Sequence, residues 1–103
     1  MSDIKLRTKW VDGKLLVRAL LSHPMDTGRR QDSATGKLIP AHFIQELRLL
    51  HNGQVVMDAQ LSTAVSRDPY FSFKLAGVKA GDQLALAWKD NFGLEESAEI
   101  EVE

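Results

Sequence analysis

The residues of this 103-residue chain best suited to chemistry are three histidines, His23, His42 and His51, and the short run Ser22-His23-Pro24-Met25. Imidazoles ligate metals and move protons near neutral pH, and a hydroxyl beside one becomes a nucleophile when a carboxylate orients the ring. The spacing supports neither use. A three-histidine metal site would draw on all three rings, but no close H-x-H pair supports it. Ser22, Thr27, Ser66 and Ser72 supply hydroxyls, yet none lies in anything like a G-x-S-x-G elbow. Gly28 and the Gly36-Lys37 pair are too far apart for a phosphate-cradling loop, and Leu38 stands where that loop needs Ser or Thr. The chain has no cysteine, which removes disulfides, blue copper, thiolate metal sites and thiol nucleophiles together. The reading is a non-enzyme with no catalytic residue, no metal and no cofactor.

Thirteen basic and 14 acidic side chains leave a formal net charge of −1, too little positive field for nucleic acid or for a polybasic membrane face. No run approaches the roughly 18 apolar residues of a membrane span. The amino-terminal MSDIKLRTKW alternates charge with hydrophobicity where a signal peptide would be continuously apolar. These features alone point to the cytoplasm.

The elements that must position these residues read as strands. Ile4, Leu6, Thr8 and Trp10 alternate with Lys5, Arg7 and Lys9, and Asp12-Gly13 turns the chain into Lys14 to Leu21. Phe43 to Leu50 alternates again and His51-Asn52-Gly53 turns it into Val55, Met57, Ala59 and Leu61. Helix competes there, because Ile44, Leu47 and Leu50 also fall near helical spacing. Phe71, Phe73 and Leu75 form a fifth strand, Leu84, Leu86 and Trp88 a sixth, and Ile100 and Val102 lie on a seventh after the Asp90-Asn91-Phe92-Gly93 turn. The acidic residues Glu95, Glu96, Glu99, Glu101 and Glu103 read as the solvated face of that last strand.

About seven antiparallel strands without a helix predict an all-β, immunoglobulin-like β-sandwich filling residues 1–103 as one domain. Trp88, Phe71 and Phe73 are the expected heavy elements of its core. The long connection from Ser22 to Pro40 is the irregular feature, and its polar half, 29–37, reads as a solvated loop. A free-standing sandwich that binds a small molecule or metal through 22–40 is the alternative functional reading.

Four segments carry a resemblance over essentially the whole chain: SHPMDTG (22–28), GKLIP (36–40), HNG (51–53) and AVSRDPYFSFKL (64–75), with a tryptophan-bearing strand in GDQLALAWKDNFG. Together, in this order and spacing, they resemble the SoxZ family of the bacterial thiosulfate-oxidising Sox system. The resemblance implies an immunoglobulin-like, non-catalytic half of the SoxYZ heterodimer. Its partner SoxY carries sulfur on a cysteine at the end of a glycine-rich arm, and other Sox enzymes visit the pair transiently. It also implies a periplasmic location reached by co-export with the signal-bearing SoxY, against the cytoplasmic reading. An isolated subunit with its partner face uncovered would be prone to form a homodimer. On this resemblance and their non-strand character, His23, Pro24, Met25, Asp26, Thr27 and Gly28, with Pro69, Tyr70 and Phe71, are the candidate partner-binding residues; otherwise Pro24 and Gly28 shape the loop and Tyr70 and Phe71 fill the core.

Overall fold

A computed structural model describes residues 4–103; the first three residues of the MSDIKLRTKW segment lie outside the described residues. Seven strands follow in order: β1 (Ile4–Val11), β2 (Lys14–Leu21), β3 (Ile44–His51), β4 (Gln54–Gln60), β5 (Tyr70–Leu75), β6 (Gln83–Asp90) and β7 (Glu95–Glu101). They form two antiparallel sheets, β1-β2-β5 and β4-β3-β6-β7, and no helix occurs among the described residues. The expected all-β sandwich is the observed architecture.

Two hairpins rest on the turns the sequence marks. Asp12 and Gly13 have φ of 51° and 77°, and Asn52 and Gly53 have 51° and 83°, the positive values a tight two-residue turn requires to match the twist of its strands. Within the sheets the alternation sets which face is buried. Leu15, Val17, Ala19 and Leu21 of β2 face Leu47 and Leu49 of β3 and Leu84, Leu86 and Trp88 of β6, all buried. Phe71 and Phe73 pack against this core from β5 while remaining half-buried. Trp10 departs from its strand's pattern: it is 42% exposed and donates its indole N–H to the Glu103 carbonyl at 2.9 Å, fastening β1 to the end of the chain.

The helix-like spacing of Ile44 and Leu47 has a structural cause. Ile44 pairs with Asp90 and Glu46 with Lys89, so Gln45 is an extra residue in the ladder. This bulge turns Ile44 inward although it stands three residues from Leu47, and both are fully buried. A second irregularity lies between Leu49 and Leu50, which pair with Met57 and Val55 and so skip Val56. The result is that Val55 and Val56 both lie exposed on the β4 edge, at 52% and 47%.

The 22–40 connection crosses from one sheet to the other as an organised excursion. Asp26 bridges His42 and Gln31 bridges Leu38 in antiparallel fashion. At its tip Asp32 Oδ1 accepts the Ala34 and Thr35 N–H groups, and Gly36 N–H closes onto the Asp32 carbonyl at 2.7 Å. The segment expected to be a solvated loop thus remains exposed but folds as a small hairpin.

Candidate functional site

The end of the sandwich where β2, β3 and β6 meet their loops gathers the unusual residues. Beyond β2 the pairing with β5 continues into the loops: Leu21 N–H donates to the Pro69 carbonyl at 3.0 Å and Asp68 N–H to the His23 carbonyl at 3.0 Å. Asp68 Oδ1 accepts the His23 N–H in return, at 3.0 Å. Distant segments, 22–28 and 64–75, are therefore locked side by side. Met25 and Asp68 hold φ of 48° and 49°, a costly backbone region for side chains other than glycine. Met25 is offset by burial and by its sulfur, which accepts the Ile44 N–H at 3.4 Å.

At the centre lies Asp90, 1% exposed. Its Oδ2 accepts Nε2–H of His23 at 3.1 Å and Nε2–H of His42 at 2.7 Å. Its Oδ1 accepts the Phe92 and Leu94 N–H groups, both at 2.9 Å. Burial alone would push this carboxyl up, but the hydrogen bonds from both histidines and the two backbone groups outweigh it and hold it below the usual carboxylate range. The next residue works in parallel: Asn91 Oδ1 accepts the Phe43 N–H and its amide donates to the Ala41 carbonyl, each at 2.8 Å. Asp90 and Asn91 thus tie the β6–β7 turn to the end of the long loop.

Aromatic packing completes the cluster. His42 stacks on Phe92 with centroids 4.0 Å apart and meets His23 edge-on at 4.5 Å. His23 in turn meets Trp88 edge-on at 5.1 Å. The Trp88 indole N–H is buried without a hydrogen-bond partner among the described residues.

Geometry limits the chemistry. His23, His42 and Asp90 bring one ligand atom each within 4.8 Å of one another, the grouping closest to a metal site among the described residues. However, His23 Nδ1 accepts the Met25 N–H at 3.1 Å, so its proton sits on Nε2 and points at Asp90. A metal-bound histidine does the reverse, offering a bare nitrogen to the ion and donating from the other. The three-histidine grouping, which the spacing did not support, does not form, because His51 lies at the opposite end of β3, hydrogen-bonded to Asp82 at 2.7 Å. Nor does any hydrogen bond of the three histidines among the described residues reach a serine or threonine. The constellation is a closed structural tie.

The nine candidate partner-binding residues divide. His23, Met25 and Pro69 are buried, so they hold the loops and offer no contact surface. Pro24, Thr27 and Tyr70 are exposed, while Asp26, Gly28 and Phe71 are intermediate. Tyr70 and Phe71 point to opposite faces of β5, the first outward and the second toward the core. Gly28 (φ 83°) lies against Ala41, whose Cβ would be 3.3 Å from a Cβ built there. Asp26 pairs with Arg30 at 2.8 Å beside an open recess of about 370 Å³ that Pro24, Met25, Thr27 and Arg67 also line. Sequence reasoning missed Asp90 altogether. It reads as an ordinary first residue of an Asp-Asn-x-Gly turn, and its histidine partners stand 48 and 67 residues away.

No match is found among curated proteins. A scan against protein families matches residues 4–101, nearly the whole described chain, to the family of the sulphur oxidation protein SoxZ. With its seven-stranded sandwich and the junction of its SHPMDTG and RDPYF segments already in view, the chain belongs to the SoxZ family of sulphur oxidation proteins.

Proposed function

We propose that the chain is the non-catalytic subunit of a SoxYZ carrier, pairing with a cysteine-bearing SoxY and holding it while other Sox enzymes act on its bound sulfur. The observation that carries this reading is the family match over residues 4–101. A cysteine-free chain suits the role, since all the sulfur chemistry then resides on the partner's arm. Histidines committed to Asp90 and Asp82 suit it as well, because they hold loops and bond to no hydroxyl among the described residues.

A permanent partner needs apolar surface to cover. The β4 edge, with Val55 and Val56 exposed, supplies such surface together with unpaired backbone groups. In this reading the pair resides in the periplasm, exported by the signal of SoxY. The rival reading, a free-standing sandwich that holds metal or a small molecule through 22–40, gains nothing from His23, whose Nε2 is already a donor.

Co-expression with SoxY and measurement of the complex mass by light scattering tests the proposal. A stable one-to-one heterodimer is expected. Two proteins that migrate separately would overturn it.

A further inference from the structure

The outer face of the β1-β2-β5 sheet has a charge pattern that the net charge conceals. Alternation turns Lys5, Arg7 and Lys9 of β1, Lys14 and Arg18 of β2 and Lys74 of β5 to this face, and all six are exposed. No acidic side chain accompanies them among the described residues of these strands, and none of the six has an ion pair there. Arg7 stands directly opposite Arg18 in the ladder, a like-charge pairing that works against folding. Lys9 and Lys74 flank Leu16 in the next row.

On the outer face of the other sheet the charges are interleaved. Arg48 lies 3.6 Å from Asp58 and 3.9 Å from Glu46, and Lys89 pairs in the ladder with both Glu46 and Glu95. Cation and acid thus meet on that face, although Glu99 and Glu101 there stand opposite Ala85 and Gln83, whereas the cationic face has no acid to meet among the described residues of its strands.

We propose that the outer face of the β1-β2-β5 sheet is a transient, electrostatically steered docking surface for a folded protein with an acidic patch. At one end of the face Leu20 and Tyr70 pair across the strands, 41% and 58% exposed. A tyrosine beside arginines is the residue mix in which contact energy concentrates. A permanent interface would be poor in charge at its centre, so six uncompensated cations fit a partner that arrives and leaves. Nucleic acid is the weaker fit, because Tyr70 is the only aromatic on the face among the described residues of these strands and base stacking uses several. The chain's overall charge of −1 also opposes long-range attraction of a polyanion. The location of this surface does not depend on which protein is the permanent partner. Within the carrier reading, the visitors are the Sox enzymes that act on the bound sulfur.

The test uses the SoxYZ pair and the variant Arg7→Gln/Arg18→Gln/Lys74→Gln, whose substitutions lie on exposed positions. Association with each purified oxidising and hydrolysing Sox enzyme is followed by stopped flow at low and at physiological salt. For at least one enzyme the variant is expected to associate about tenfold more slowly at low salt and to lose most of the salt dependence, while the mass of the SoxYZ pair stays unchanged. Unchanged rates with every enzyme would overturn the proposal. So would loss of the pair itself, which would make this face the permanent interface and leave the carrier reading intact. Binding of a labelled DNA oligonucleotide or of phosphatidylserine vesicles that the variant abolishes, without any change in enzyme association, would likewise overturn it. Should SoxY fail to bind at all, the same titration on the isolated chain decides the question for the face alone.

Discussion

At the loop end of the sandwich Asp90 accepts hydrogen bonds from His23, His42 and two backbone N–H groups while almost wholly buried. At the hairpin end Asp82 accepts from His51 at 2.7 Å and from the Lys79 N–H at 2.9 Å while partly open to water. The same residue types meet at similar distances, yet they do different work. Asp90 joins three segments that are far apart in the chain, so its hydrogen bonds replace sheet where the strands run out. Asp82 joins a turn to the end of β3, where the β3–β4 hairpin is already fixed by Asn52-Gly53. A buried tie carries the cost of every donor it would leave unsatisfied, whereas an exposed one can return its groups to water.

Asp90→Ala is the sharpest way to break this comparison. It leaves the buried His23 donor without an acceptor and takes the acceptor from the part-buried donors of His42, Phe92 and Leu94, and is expected to cost about 3–5 kcal/mol in denaturant unfolding, because breaking a buried network by removing one partner leaves the others unpaired. An equally large loss from Asp82→Ala would refute the distinction between the two ends. Met25→Ala comes next, at about 2–4 kcal/mol. It empties a buried position at positive φ and removes the sulfur that accepts the Ile44 N–H.

Two glycines extend the comparison to the backbone. Gly28 and Gly53 share a φ of 83°, but a Cβ at Gly28 meets Ala41 whereas one at Gly53 meets open space. Gly53→Ala is expected to cost about 1 kcal/mol from conformation alone, and Gly28→Ala measurably more by the same thermal melts. Equal losses would mean that the loop yields freely around Ala41.

Acid sensitivity is the smallest expected effect. The hydrogen bond from His51, followed by that from the Lys79 N–H, lowers the Asp82 carboxyl to about 2. Because this lies below the unfolded value of about 3.9, the carboxylate's contribution is fully present above about pH 4 and is lost as pH falls through about 2. Asp82→Asn should therefore flatten the dependence of the denaturation midpoint on pH between 4 and 2, with little change at pH 7. The Asp90 shift has the same sign, so the Asp82→Asn variant should retain part of the wild-type acid sensitivity.

The strands were legible because their information is local. Alternation in β1, β2 and β6 and the Asp12-Gly13 and Asn52-Gly53 turns each lie within a few residues and need no partner to be read. Phe43 to Leu50 read as a strand on the Asn52-Gly53 turn and the strand after it, against a helical spacing that the bulge at Gln45, seen in the ladder with β6, imitates. Of the candidate site, the segments were legible but the direction of their side chains was not. Tyr70 pointing outward, Met25 inward and His23 onto Asp90 all follow from how the loops cross between sheets.

By itself, then, the sequence determined the seven strands, the two tight turns, the lack of any thiol chemistry and the family resemblance, since each rests on residue type and short spacing. Only the tertiary structure decided that two of the three histidines share one buried aspartate. It alone separated the charges, with cations unpaired on one sheet and interleaved with acids on the other. A charge count sums over the molecule, whereas a field acts from one side of it. Which residues share a side depends on strand order, and strand order is settled by the burial of both sheets at once.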